Sequence, residues 1–204
     1  MKPTPRYLKP YQEAVDAMGG TFEATLWQSK RGQVIRFRTF SDEIDFTETS
    51  ILDVGCGIGD FAEFLLETSI AYKSFRGIDA MEAMIKTAEQ RNLDRCTFEV
   101  ADVIAESDLM HNEDWITFSG TLNTLTQESA LALIEKAYEA CTIGVAFNFL
   151  SNQSWRDPNT EDLYPASRFD TIEVLRFACS LTPLVSFTQM YLLGHDATVI
   201  LRRG

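Results

Sequence analysis

Three glycines at alternate positions, in Ile51-Leu52-Asp53-Val54-Gly55-Cys56-Gly57-Ile58-Gly59-Asp60-Phe61, constrain the fold of this chain more than any other stretch. The apolar residues before them predict a short buried strand, and the apolar spacing of residues 61–67 predicts a helix after them. Glycine has no Cβ and tolerates backbone angles that other residues avoid, so a ligand can approach bare backbone at such a turn. The spacing is G-x-G-x-G, whereas the dinucleotide fingerprint places its third glycine one position later, as G-x-G-x-x-G.

Two more strand ends carry acids. Residues 74–78 form an apolar run that ends in Asp79, 24 residues beyond Gly55, where a carboxylate suits a ribose diol. Met81 to Ala88 then opens a second helix. Residues 97–103 predict a third strand bearing Asp102, an acid suited either to an adenine amino group or to capping the strand end. Cys56 lies inside the glycine turn, where a small, weakly polar side chain suits packing better than nucleophilic work.

Together these residues resemble the class I S-adenosylmethionine (SAM)-dependent methyltransferases. Asp53-Val54-Gly55-Cys56-Gly57-Ile58-Gly59 is similar to the family's glycine loop, Gly77-Ile78-Asp79 to its ribose acid, and Ala101-Asp102-Val103 to the segment along the adenine. The likeness runs from about residue 50 to residue 203. It implies an α/β fold, a Rossmann-like seven-stranded sheet of order 3-2-1-4-5-7-6 with the last strand antiparallel, flanked by helices. It also implies SAM as cofactor, with Asp60, Ala80 and Met84 beside the loop and Ser119 and Gly120 near the sulfur. The segment from Leu26 to Phe37 resembles the N-terminal region of a mostly uncharacterised bacterial group acting on small molecules. DNA adenine methyltransferases usually carry an Asn/Asp-Pro-Pro-Tyr-type motif after the fourth strand, and Ser119-Gly120-Thr121-Leu122-Asn123 is not one.

Charge points the same way. Thirty acidic residues face 18 basic ones, a net charge of −12, and the excess lies after residue 40. Nucleic-acid binding rests on clustered cations that neutralise phosphates, so a small-molecule methyl acceptor is expected and nucleic acid is not. Cys56, Cys96, Cys141 and Cys179 are scattered and form no metal-binding spacing, so no metal site is expected. No apolar run approaches the ~20 residues that cross a bilayer. The first residues lack the apolar core of a signal peptide, which makes a cytoplasmic location the expectation. Oligomeric state is left open.

One domain is expected: residues 1–49 as a helical cap, 50–204 as the cofactor-binding core, and 151–169 as a lid loop. Helices are predicted over 5–18 and 29–39, broken at Gly19-Gly20, and over 126–141. Strands are predicted over 115–119 and 143–150. Asp170-Thr171-Ile172-Glu173 has the form of a capping box. Strands over 184–192 and 197–202 should pair as a hairpin through Gly194-His195-Asp196.

Several residues are candidates for the chemistry. Gln33, Arg36 and Phe37 share a helix face, and Arg36 suits a bidentate pair with the methionine carboxylate of SAM, or else a surface salt bridge. Trp27 either closes over the ligand or anchors the core. Asn123 and Asn148 are pocket candidates, with structural hydrogen bonding as their alternative. In the lid, Trp155 and Tyr164 are expected to shape the acceptor pocket, and Arg156 or Arg168 to meet an acidic substrate. His195 is a candidate base if the acceptor must lose a proton, or simply a solvated turn residue, and His111 is read as surface. Other classes that share parts of this pattern are a SAM-using enzyme with non-methyl chemistry, an NAD(P)-dependent oxidoreductase and a non-catalytic SAM-binding module.

Overall fold

The computed structural model describes residues 4–155 and 164–204. Strands β1 (Ser50–Val54), β2 (Ser74–Asp79), β3 (Cys96–Val100), β4 (Trp115–Phe118) and β5 (Gly144–Ser151) run parallel. A two-residue strand, β6 (Arg168–Phe169), pairs in parallel with the end of β5. The chain then forms β7 (Val185–Thr188) and β8 (Asp196–Arg202), and β8 inserts antiparallel between β5 and β7. The order is β3-β2-β1-β4-β5-β8-β7, the expected topology with β6 added where the chain after β5 returns to the sheet.

Alternation along the strands fills both faces of this sheet. Leu52, Ile116 and Val145 face a core shared with helices α5 (Gln127–Ala140) and α6 (Thr171–Leu181). Their neighbours Ile51, Trp115 and Ala146 face the opposite core, with α2 (Lys30–Glu43) and α3 (Asp60–Glu67). Helix α4 (Glu82–Gln90) follows β2. Phe61 of α3 is the hub of the second core: its ring lies 5.0 Å from Phe37, 6.0 Å from Phe40, 5.8 Å from Phe46 and 6.1 Å from Phe75. These aromatic contacts bind the cap helix α2 to the sheet.

Several element boundaries differ from the expectations. Helix α1 (Lys9–Met18) starts later than residue 5, because Pro10 lacks an N–H and fits only a first helical turn. Helix α2 runs past residue 39 because its buried face continues to Phe40, and Ser29 caps it by accepting from Gly32 N–H at 3.1 Å. Strand β3 stops at Val100, since Asp102 turns the chain by accepting from Ile104 N–H. Strand β7 stops at Thr188, and Gln189 to His195 make the connection to β8, with Gln189 Nε2 donating to Gly194 O at 2.8 Å.

The capping box forms by halves. Asp170 accepts from Glu173 N–H at 3.0 Å, but Glu173 does not bond back. Gln127 bridges instead, accepting from Asp170 N–H at 2.6 Å and donating to Glu173 at 2.8 Å, which ties α5 to α6. No helix among the described residues is long and apolar enough to cross a membrane.

Phe61→Ala removes the hub of one core. The expected loss is about 3–5 kcal/mol of unfolding free energy, measured by urea denaturation. A loss below about 1 kcal/mol would show that α2 and α3 do not depend on this ring.

Candidate active site

The ends of β1, β2 and β4 lie side by side, with Asp53 opposite both Gly77 and Thr117. Ligands of open α/β sheets bind outside such carboxyl ends, where the strand order reverses. Here β1 turns into the glycine loop, and Gly57, at φ +55°, donates its N–H to Asp79 at 2.9 Å. Met81 N–H donates to the other Asp79 oxygen at 2.8 Å. A carboxylate accepts about four hydrogen bonds, so Asp79 keeps capacity for a diol.

A cleft with a total volume of about 990 Å³ opens here. Fourteen of the sixteen residues expected to hold the cofactor border it: Trp27, Asp53, Gly55, Cys56, Gly57 and Asp60, then Asp79, Ala80 and Met84, then Ala101, Asp102, Val103, Ser119 and Gly120. The two others do not. Gly59 caps α3, with its Cα face against Phe98, and Arg36 borders a second cleft.

Four carboxylates line the first cleft (Asp53, Asp60, Asp79 and Asp102), and among the described residues no Lys, Arg or His does. Among the described residues only Asp60 has an ion pair there, with Arg91 at 2.8 Å, and it also accepts from Gln33 Nε2 at 2.9 Å. Burial pushes the Asp53 carboxyl up to about 7; the Thr117 hydroxyl, which donates to it at 2.8 Å, opposes this, and the charge of Asp79 adds to it. Burial raises Asp79 as well, against the two backbone N–H groups that favour its charged form. Burial also raises the Cys56 thiol, with the two aspartates adding to the effect, which agrees with a packing role. A cleft of this kind lowers the free energy of a bound cation.

The cap supplies walls that the motif did not reveal. Tyr7 donates its hydroxyl to Asp102 at 2.6 Å, and Leu8, Tyr11, Thr25 and Phe37 line the same cleft. The signal for them was present: Leu8, just before α1, and Tyr11 and Val15 on it form an apolar stripe that packs against Ile58, Met81 and Met84.

A second cleft of about 950 Å³ adjoins the first, and Tyr11, Thr25, Trp27, Gly120 and Thr124 border both. Gly120 sits at the junction with φ +76°, and a Cβ there would lie 2.5 Å from the Trp27 ring. Asn148 holds this turn, accepting from Gly120 N–H at 2.9 Å and donating to Ser119 Oγ at 3.2 Å. It is therefore spent on positioning and borders neither cleft. Asn123 borders the second cleft while accepting from Leu150 N–H.

The remaining candidates separate. Tyr164 lines the second cleft, whereas Trp155 is 91% exposed and borders neither. Arg168 donates to the carbonyls of Ser151 and His195 and also borders neither cleft. Arg156 lies outside the described residues. His195 is 4% exposed, so it is not a solvated turn residue. It precedes β8 directly, its carbonyl accepts from Ser151 N–H, and it lines the second cleft. His111 is exposed. Among the described residues no cluster of His, Cys, Asp or Glu could hold a metal ion.

Residues 51–144 match the family model described as a methyltransferase domain. Over residues 51–144 the chain carries a methyltransferase domain. No curated protein matches the sequence. Among solved structures, DhpI in complex with SAM and HEP is similar over 100% of both chains, at 14% identity and a TM-score of 0.72. Magnesium protoporphyrin IX methyltransferase from Synechocystis PCC 6803, with bound SAM, is similar over 100% of this chain and 86% of its own, at 12% identity and a TM-score of 0.63. The small RNA methyltransferase HEN1 is similar over 83% of this chain and 25% of its own, at 14% identity and a TM-score of 0.64. At these identities the likeness is one of fold. The methyl donor of this family is SAM.

The buried Asp53 gives the methyltransferase domain a testable pH signature. Its folded value of about 7 lies above the unfolded ~3.9, so the folded state holds the proton more tightly. Through this group, stability falls as pH rises from about 4 to about 7 and then levels off. Asp53→Asn, which can still accept from Thr117, should leave the protein without ligand more stable than wild type at about pH 8. The gain should be on the order of 1–3 kcal/mol and should vanish near pH 4. Urea denaturation at the two pH values checks it, and a gain independent of pH would contradict the shift.

Proposed function

We propose that this protein transfers a methyl group from SAM, bound in the first cleft, to a small-molecule acceptor held in the second. The observation that carries the reading is the junction of the two clefts at Trp27 and Gly120. The donor set of the first cleft fits the cofactor: a cationic ligand with a diol suits four carboxylates without a basic side chain, one of them with hydrogen-bonding capacity to spare. In this reading Asp79 accepts from the ribose hydroxyls, Asp102 lies by the adenine and Asp53 faces the charged methionine end. Residues 4–49 are the cap over both clefts.

When bound, SAM supplies an electrophilic methyl group on a sulfonium. Methyl transfer is an in-line displacement whose rate comes mainly from alignment and exclusion of water. The chain's part is to hold the donor against the glycine loop, to keep the junction open at Gly120 and to cover it with Trp27 and Tyr11. Asn148 keeps the Ser119–Gly120 turn in place. No side chain need take a covalent role.

A small acceptor agrees with a second cleft walled by cap residues and by Tyr164, Pro165 and Ala166. Nucleic acid is not the acceptor in this reading, because a chain of net charge −12 offers little to a phosphate backbone. A cytoplasmic location is part of the proposal, supported by four free cysteines.

Calorimetric titration tests the reading. SAM should bind, NAD should not, and tighter binding of NAD would overturn it. Asp79→Ala should weaken SAM by roughly tenfold to a hundredfold through the lost ribose contacts; unchanged affinity would refute that role. Turnover should leave S-adenosylhomocysteine, seen by mass spectrometry, whereas methylthioadenosine would indicate a different SAM chemistry.

A further inference from the structure

The two clefts differ in charge. The first is lined by four carboxylates, whereas among the described residues the second is lined by no Asp or Glu at all, in a chain with 30 of them. Among the described residues its one Lys or Arg side chain is Arg36.

Arg36 is held unusually well for a residue beside open space. It is 9% exposed, its Nε donates to Asp196 at 2.5 Å, and its guanidinium lies 4.6 Å over the Trp27 ring. Its terminal nitrogens, Nη1 and Nη2, have no hydrogen-bond partner among the described residues. A guanidinium carries five N–H donors, so four are left for something in the cleft. Asp196 is buried behind the guanidinium and does not border the cleft, so the ion pair presents its cationic end outward. The other Asp196 oxygen, Oδ2, is buried without a hydrogen-bond partner, and it too lies behind Arg36.

His195 adds a second polar group to the same wall. Arg168 Nη2 lies 3.4 Å from His195 Nδ1. Asp196 Oδ2 lies 3.9 Å from the same nitrogen, so His195 joins Arg168 to the Arg36–Asp196 pair.

We infer that Arg36 is the specificity-determining residue for the acceptor, and that the acceptor carries an oxyanion, either a carboxylate or a phosphoryl group, which Arg36 binds through its terminal nitrogens. Guanidinium forks match both groups bidentately, and the stacking on Trp27 with the bond to Asp196 preorganises the fork before the acceptor arrives. Trp27 links the two functions, since the ring that supports Arg36 also rests on Gly120 at the junction. The inference rests on the two-cleft reading above, and it moves Arg36 from the cofactor's carboxylate to the acceptor's anion.

The test uses the full chain and three probes of similar shape: benzoate, phenyl phosphate and neutral benzamide. Each is titrated calorimetrically into protein saturated with S-adenosylhomocysteine. At least one anion should bind roughly tenfold or more tightly than benzamide, and the tighter of the two identifies the oxyanion. Arg36→Met alone would strand the buried Asp196, so the informative variant combines it with Asp196→Asn and removes both charges. That double variant should lose the preference for the anion and keep its affinity for S-adenosylhomocysteine within about twofold. Absence of any anion preference in the wild type, or its survival in the variant, would overturn the inference. So would a parallel loss of S-adenosylhomocysteine binding, which would return Arg36 to the cofactor. If S-adenosylhomocysteine fails to bind the wild type, the reading of the first cleft fails, and the same anion titrations on the protein alone still decide the role of Arg36.

Discussion

The main-chain hydrogen bonds of β1 set everything at the carboxyl edge of the sheet, because β1 pairs in parallel with β2 on one side and β4 on the other. That register brings Asp53, Asp79 and the Ser119–Gly120 turn to one edge, although they come from three separate segments. It also lets Gly57 N–H reach Asp79, so the glycine loop and the second strand brace each other. A shift of β2 by one residue would turn Asp79 to the other face and leave the loop unsupported.

On this edge the cap completes the site. Phe37 and Phe40 anchor α2 in the core beneath, while Gln33 and Arg36 on the same helix face reach the first and second clefts respectively. One helix thus serves both clefts. The ring of Trp27, placed between Arg36 and Gly120, forms part of the wall they share. The result is a division of charge over a short distance: four carboxylates line one cleft, and among the described residues Arg36 is the Lys or Arg side chain that lines the other.

The parts legible in the sequence were those governed by local spacing. The strand, loop and helix around Gly55, the acid at Asp79 and the amphipathic pattern of α5 each follow from neighbours along the chain. The pairs that define the second cleft do not. Arg36 meets Asp196 across 160 residues and Tyr7 meets Asp102 across 95, and no periodicity announces either. Asn148, polar within a buried strand, suits either a pocket or a structural hydrogen bond by sequence alone. Its side chain is consumed in holding Gly120, which only the packing of β5 beside β4 reveals. An isolated histidine in a turn is ordinarily solvated, whereas here the return of β6 onto β5 and the insertion of β8 bury His195.

The central claim is that the two clefts meet where the methyl group is handed over. A crystal structure of the protein with SAM tests it most directly. The account predicts the adenosyl group between Asp79 and Asp102, with the sulfonium methyl facing the opening between Trp27 and Gly120. SAM bound with its methyl directed away from the second cleft, or bound outside the glycine loop, would contradict it.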